Sequence, residues 1–234
     1  MPTYLHVEYS QLQYWGHPLR AAINSKTSLR PRDPQWRSSP LSDLAFSITT
    51  RIGAMQELVR LVDAHLNRLG DELDHAPNLD ELVAGGYACS FDDASAVRQA
   101  LVTLTMFAAE AESLFENLVE FYRRFLEHYF DDKIDQKTAE ARVVAFSSPT
   151  AWRADLNKLR NITRHRYAPW LAFEDLGQQA RPRWEPLLVH DWRPERLNPS
   201  TSTSLGNVRD IKAGLASSAE GALRDLVTRV NAAP

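Results

Sequence analysis

Residues 160–167, which read RNITRHRY, combine side chains that could act on a phosphate group. An arginine such as Arg160 carries a permanent charge and can donate two hydrogen bonds to phosphate oxygens. A histidine such as His165, with an ordinary pKa near 6.5, can take up or release a proton near neutral pH. Asn161 and Tyr167 add an amide and a phenol, which suit contacts to a phosphate and a base. The segment therefore suggests contacts to a phosphate and a base.

The helical wheel explains how these side chains would be arranged. At 100° per residue, one strip about 80° wide holds five polar side chains, namely Arg153, Asn157, Arg160, Arg164 and Tyr167. His165 lies about 140° from Arg160, so the two cannot easily meet on a regular helix. They could converge if the helix loosens before Pro169, or if a second copy of the chain supplies its own motif.

The same segment resembles the signature of HEPN domains. Members of this superfamily carry an arginine, a polar residue, three to five further residues and then a histidine, and one toxin branch reads Arg-X4-His-X-Tyr. Arg160, Asn161, His165 and Tyr167 match this longer form. The shorter spacing also occurs at three other places, where the arginine lacks a polar neighbour, namely Arg60 with His65, Arg123 with His128 and Arg68 with His75. The resemblance is specific over about eight residues and extends through helix order to residues 40–230.

HEPN domains are helical bundles of prokaryotic toxin–antitoxin, abortive-infection and CRISPR-linked systems, and the resemblance implies a metal-independent endoribonuclease that needs no cofactor. His165 would be the acid/base and Arg160 the phosphate clamp, oriented by Asn161 in the cleft of a homodimer. Arg153, Asn157, Arg164 and Tyr167 would contact the RNA. A cognate antitoxin is a further expected partner.

Two other functions remain open at this stage. One is a HEPN-like bundle that has lost activity and binds RNA, a nucleotide or a protein. The other is an unrelated helical interaction protein that dimerises through its long second helix. In that case Arg160 and Arg164 would be solvated charges near a helix C-terminus, His165 would cap the last carbonyls, and Tyr167 would be a core or interface aromatic.

The apolar periodicity predicts an all-α fold, a bundle of about four long antiparallel helices. The first helix should begin near Ser39-Pro40 and stop at Gly70, before a connection at 71–89. The second should follow the cap residues Ser90, Asp92 and Asp93 and run for about 38 residues. The third should span Pro149 to Tyr167, with Trp152, Leu156, Leu159 and Thr163 on its buried side. The fourth should run from Leu205 to Val230, and residues 138–146 could add one more turn.

The remaining segments are predicted to be irregular. Residues 1–39 read as an aromatic arm packed on the bundle, which itself covers residues 40–234. Residues 170–204, which contain several prolines, read as a loop inserted before the last helix. A short strand at Leu187–His190 could pair with the arm.

Composition excludes several classes of protein. The net charge of −3 excludes a chain that binds nucleic acid through overall positive charge, and a single cysteine, Cys89, excludes an internal disulfide. There is no Walker loop, no dinucleotide-binding glycine motif and no His-X3-His metal spacing. No apolar run is long enough for a membrane span and the first residues do not read as a secretory signal, so a cytoplasmic protein is expected.

Overall fold

A computed structural model of the protein describes residues 14–29, 40–76, 79, 94–164, 170–177, 179–180, 183–189 and 202–234. These residues form six helices and a small sheet, so the prediction of a mostly helical fold is confirmed. Within these ranges, no helix combines the length and the apolar character that a bilayer crossing requires.

The helices are α1 (His17–Ser25), α2 (Pro40–Asp74), α3 (Ala94–Phe130), α4 (Gln136–Ala145), α5 (Trp152–Arg164) and α6 (Leu205–Ala232). Periodicity predicted α2, α3 and α6 closely, because each carries a continuous apolar stripe that is buried in the structure. The described residues form three long helices, whereas about four were predicted. The predicted cap residues of α3, at 90–93, lie outside the described ranges.

The longest helices, α2 and α3, lie antiparallel and make the largest contact in the fold. Asn117 donates to Ser47, and Arg51, one turn later on α2, pairs with Glu110, two turns earlier on α3. As residue numbers rise along one helix they fall along the other. This pair forms one layer, and its inner side packs on α6, while α4 and α5 also contact α3.

Two glycines allow the aromatic side chains of the shorter helical segments to approach α6 closely. A Cβ at Gly214 would lie 2.2 Å from the indole of Trp152, and one at Gly221 would lie 2.5 Å from Cβ of Phe146. The Trp152 ring is held in this place by a 2.6 Å hydrogen bond from its Nε1 to Ser147. The position of α5 is therefore set by a tight contact between Trp152 and α6.

The prediction of a loop at 170–204 is wrong for much of this segment. The strands β1 (Trp170–Asp175), β2 (Trp184–Val189) and β3 (Ser202–Ser204) form an antiparallel sheet in the order β1-β2-β3. The strand expected at Leu187–His190 exists but begins three residues earlier and pairs with its chain neighbours. The prolines misled the prediction, because Pro186 is accommodated within β2 opposite Phe173. Residues 1–13 of the arm lie outside the described ranges, so a pairing of this strand with them stays a prediction.

Two further corrections concern helix boundaries. Residues 17–25 form α1, where irregular structure was expected, and Leu19 and Ile23 are fully buried there. Helix α2 does not stop at Gly70 but continues one more turn to Asp74. That turn buries Leu73 and places Asp74 where it accepts a hydrogen bond from Trp184, which offsets the cost of about 1 kcal/mol for glycine inside a helix. Thr163 is only half-buried, and Ile162 takes the expected buried position at the end of α5.

Candidate functional site

A buried glutamate on α3 pairs with two of the arginines in the predicted site. The Glu112 side chain is only 5% exposed. Its Oε1 accepts a 2.9 Å hydrogen bond from Arg160 and its Oε2 accepts a 3.1 Å bond from Arg153, so each carboxylate oxygen has its own arginine. The two arginines lie two turns apart on α5, and they converge because α5 packs across α3 at this point.

Aromatic packing fixes one side of this cluster. The guanidinium carbon of Arg153 lies 4.1 Å from the centre of the Phe115 ring, a cation–π contact. Phe115 in turn meets Trp152 edge-to-face, with ring centres 5.7 Å apart. Arg153 is thus held from below by the ring and from the side by Glu112, which leaves it little freedom to move.

Arg160 is the more available of the two arginines. Its side chain is 31% exposed, against 21% for Arg153. Its Nε is buried and has no hydrogen-bond partner, so Glu112 uses only part of its donor capacity. Two arginines on one carboxylate also leave one net positive charge, which is the type of charge that attracts a phosphate.

The other predicted site residues are half-buried, exposed or outside the described ranges. Asn157 is half-buried on the same side of α5, between the two arginines, while Asn161 and Arg164 are exposed at the end of the helix. His165 and Tyr167 lie outside the described ranges, so the convergence of His165 with Arg160 stays a prediction. The structure thus brings Arg153 and Arg160 together and leaves Asn161 and Arg164 at the surface.

The arginines of the three other motif-like spacings have different surroundings. Arg60 pairs with Glu57, Arg123 with Glu120 and Arg68 with Glu72, in each case one turn away on the same helix. The hydrogen bond from Arg123 holds the pKa of Glu120 below its ordinary value. These are common surface pairs within one helix. Arg160 differs because its partner is a buried carboxylate on another helix.

Sequence reasoning missed Glu112, although a signal was present. Glu112 follows Ala111 directly and lies three residues before Phe115, both of which belong to the buried stripe of α3. A carboxylate on the edge of a buried stripe requires a charged or hydrogen-bonding partner. That requirement could have pointed to an arginine on a neighbouring helix, but not to which one.

A separate cleft of about 730 Å³ lies between the second half of α2, the start of β2 and the start of α6. None of the predicted site residues lines it. Its arginines are paired, Arg183 with Asp74 and Asp175, and Arg209 with Asp63. In the described ranges, no group of three histidine, cysteine or acidic side chains could hold a metal ion. The cluster of Glu112, Arg153 and Arg160 is therefore the candidate site, because two residues predicted from the sequence contact the same buried side chain there.

Comparison of the chain with protein-family models, with curated proteins and with solved structures finds no match.

Proposed function

We propose that the protein is a metal-independent endoribonuclease of HEPN type, a toxin or a phage-defence effector that acts as a homodimer. The observation that supports it is the setting of Arg160 in a motif of the form Arg-X4-His-X-Tyr. This arginine is held on a buried carboxylate together with Arg153, and the group keeps one net positive charge. RNA and a cognate antitoxin are the partners that this function implies.

The proposed reaction is attack of a ribose 2′-oxygen on the adjacent phosphorus. The bond from phosphorus to the 5′-oxygen breaks, which leaves a 2′,3′-cyclic phosphate and a free 5′-hydroxyl. His165 of one copy takes the proton of the 2′-hydroxyl, and the protonated His165 of the second copy supplies a proton to the leaving oxygen. Arg160 stabilises the charge that grows on the non-bridging phosphate oxygens.

Glu112 has a positioning role in this proposal. A free arginine side chain samples many rotamers, and binding a phosphate would require it to lose that freedom. Glu112 orders Arg160 in advance through one amino group of the guanidinium. The remaining donors are then oriented before the substrate arrives, which is the arrangement that favours catalysis.

The test is cleavage of an end-labelled single-stranded RNA in EDTA by the wild type, Arg160→Ala and His165→Ala. We expect the wild type to cut and to leave 2′,3′-cyclic ends, and each variant to lose at least 100-fold in rate. Circular dichroism would check that the variants are folded.

A matched control comes from the chain itself. Arg60 and His65 have the same spacing as Arg160 and His165 but lie on α2, where Arg60 pairs within its own helix. Arg60→Ala and His65→Ala should cut at the wild-type rate. A wild type that leaves RNA intact, or motif variants that cut as well as these controls, would refute the ribonuclease.

A second candidate is a bundle without catalytic activity that binds RNA or a protein. One observation favours it, because Glu112 already compensates part of the charge of Arg153 and Arg160. Glu112, Arg153 and Arg160 would make the same contacts if their role were only to hold α5 against α3. In that case the wild type would bind labelled RNA, or a protein, without cutting RNA.

A further inference from the structure

The cleft between α2, β2 and α6 has the size and the walls of a site for a small molecule. Its volume of about 730 Å³ lies within the range of about 300–1,000 Å³ that is usual for ligand pockets. Leu66, Pro186 and Leu205 form an apolar part of its wall, and charged side chains of all three elements surround this part. Because no residue of the candidate site lines the cleft, a ligand bound here would be separate from the proposed RNA substrate.

The charge of this cleft is negative. Arg183 donates two hydrogen bonds to Asp175 and lies 3.8 Å from Asp74. Arg209 donates a 3.0 Å hydrogen bond to Asp63. Both arginines are therefore already neutralised, and the remaining acidic side chains of the lining determine which charge is attracted. A cation is the ligand that this charge favours.

Three oxygen acceptors of the cleft lining are available to such a cation. Within the ranges described above, the exposed Asp71 carboxylate has no hydrogen bond or ion pair. Glu185 uses Oε1 to accept a 3.2 Å hydrogen bond from the backbone of Gly206, which leaves its Oε2. The side-chain amide of Asn67, one turn before Asp71 on α2, supplies a third oxygen to the same cleft. A primary ammonium group has three N–H donors, so its donors equal these acceptors in number.

The lining does not suit a quaternary ammonium group, which binds to the open faces of aromatic rings. Trp184 is only 7% exposed, and the guanidinium carbon of Arg183 lies 4.6 Å from the centre of its ring. The indole N–H donates to Asp74. The cleft thus offers hydrogen-bond acceptors to a cation, and its tryptophan is already engaged within the fold.

Behind the apolar part of the wall lies a small internal cavity that contains an unpaired hydroxyl. Leu66, Pro186 and Leu205 line both this cavity, of about 10 Å³, and the cleft, so these three side chains separate the two spaces. Thr203 on β3 also lines the cavity, is 2% exposed, and has an Oγ1 without a hydrogen-bond partner. A buried hydroxyl without a partner is unfavourable, and a hydroxyl of a ligand would satisfy it.

We propose that the cleft binds a small amino alcohol, that is, a primary ammonium group and a hydroxyl joined by a short apolar chain. The three oxygen acceptors bind the ammonium group, the chain packs against the wall shared with the cavity, and the hydroxyl pairs with Thr203. The cavity has room for about one water-sized group, so only the hydroxyl enters it. A change of side-chain rotamer at Leu66 or Leu205 opens the wall.

The test titrates the full chain with linear amino alcohols of three to six carbons. Calorimetry measures the dissociation constant, and the NMR signal of the Trp184 indole N–H reports whether binding occurs in the cleft. Matched probes of the best chain length remove one feature each. The alcohol lacks the ammonium group, the alkylamine lacks the hydroxyl, and the trimethylammonium alcohol lacks the N–H donors. We expect the alcohol and the trimethylammonium alcohol to bind at least about tenfold more weakly than the amino alcohol, and the alkylamine about threefold more weakly.

Variants of the chain test each end of the site. Asp71→Asn should weaken the amino alcohol about tenfold, whereas Glu116→Gln, at an exposed position of α3 outside the lining, should leave the constant unchanged. Thr203→Val should bind the amino alcohol no better than the alkylamine. Because the Thr203 hydroxyl is unpaired, this variant should keep the wild-type unfolding temperature.

Three results would overturn the proposal. They are a wild type that binds none of these amino alcohols, an Asp71→Asn variant that binds as well as Glu116→Gln, and a Thr203→Val variant that still prefers the amino alcohol to the alkylamine. RNA cleavage is a separate readout, so an inactive protein that binds the amino alcohol would refute the ribonuclease and leave this site in place.

Discussion

At the scale of single residues, Glu112 is the decisive side chain because it converts two helix-surface arginines into one ordered group. A buried carboxylate without partners would be costly, and the arginines of α5 remove that cost. The same pairing orients Arg160, whose exposed fraction leaves it accessible to a ligand. One contact thus has a structural and a proposed functional consequence.

Glu112→Gln keeps the shape of the side chain and removes its charge. We expect the free energy of unfolding to fall by about 1–3 kcal/mol, less than for a fully buried pair because both arginines reach solvent. The cleavage rate should fall at least tenfold, because Arg160 loses its orientation. Denaturant unfolding and the RNA assay measure the two effects.

Glu220→Gln is the control for this change, because Glu220 is exposed on α6 and should alter stability by no more than about 0.5 kcal/mol. If Glu112→Gln were as mild as this control, Glu112 would not hold the arginines in solution. A loss of stability without a loss of cleavage would leave Glu112 a purely structural role.

At the scale of elements, α6 fits its neighbours through small residues as much as through its apolar stripe. Gly214 leaves the space that the Trp152 ring occupies, and Gly221 does the same for Phe146. The contact at Gly214 sets how closely α5 approaches α6, and α5 carries Arg153 and Arg160. The geometry of the candidate site therefore depends on a glycine on another helix.

Gly214→Ala should destabilise the protein by about 2 kcal/mol, because a new Cβ would overlap an indole ring that its own hydrogen bond holds in place. This loss exceeds the gain of about 1 kcal/mol expected from replacing glycine by alanine in a helix. Thermal or denaturant unfolding would measure the change.

Gly53→Ala on α2 is the matched comparison, since nothing lies within 4 Å of the added Cβ. This variant should gain about 0.5–1 kcal/mol from the lower entropy of the unfolded chain. Equal effects of the two substitutions would show that the close approach of Trp152 does not exist in solution.

At the scale of the whole molecule, a polar cluster joins α3, α6 and the turn after α3. The Tyr122 hydroxyl is buried and donates a 2.7 Å hydrogen bond to Asp225, and Arg229 donates a 2.9 Å bond to the same oxygen. Arg229 also lies near Asp132, which follows α3. Burial, then the bond to Asp225 and its charge, raise the pKa of Tyr122 above its ordinary value of about 10.

This raised pKa links global stability to high pH. The contribution is fully present below pH 10 and is lost as the pH rises above 10, because the unfolded chain releases the tyrosine proton before the folded one does. Tyr122→Phe should cost about 1–2 kcal/mol at pH 7 through the lost hydrogen bond. The difference from wild type should shrink as the pH rises above 10, as measured by denaturant unfolding, and a constant difference would contradict the raised pKa.

The sequence by itself determined the long helices, because a period of 3.6 residues records locally which side of a helix is buried. This is why the course of α3 and α6 follows from the apolar spacing of residues such as Leu104, Phe115, Ile211 and Leu226. The start of α2 was predicted from the Ser39-Pro40 pair. The sequence also determined which side of α5 carries Arg153, Asn157 and Arg160. Both are properties of single elements, read over a few turns.

Only the tertiary structure determined which elements contact each other. The sheet of β1, β2 and β3 depends on pairing between separate segments. The prolines of this region made rules based on local sequence predict a loop instead. Helix α2 passes Gly70 because Leu73 and Asp74 find partners far away in the chain. The convergence of Arg153 and Arg160 on Glu112 likewise needs two helices to cross, and a burial pattern predicts that a partner is needed without saying which residue provides it.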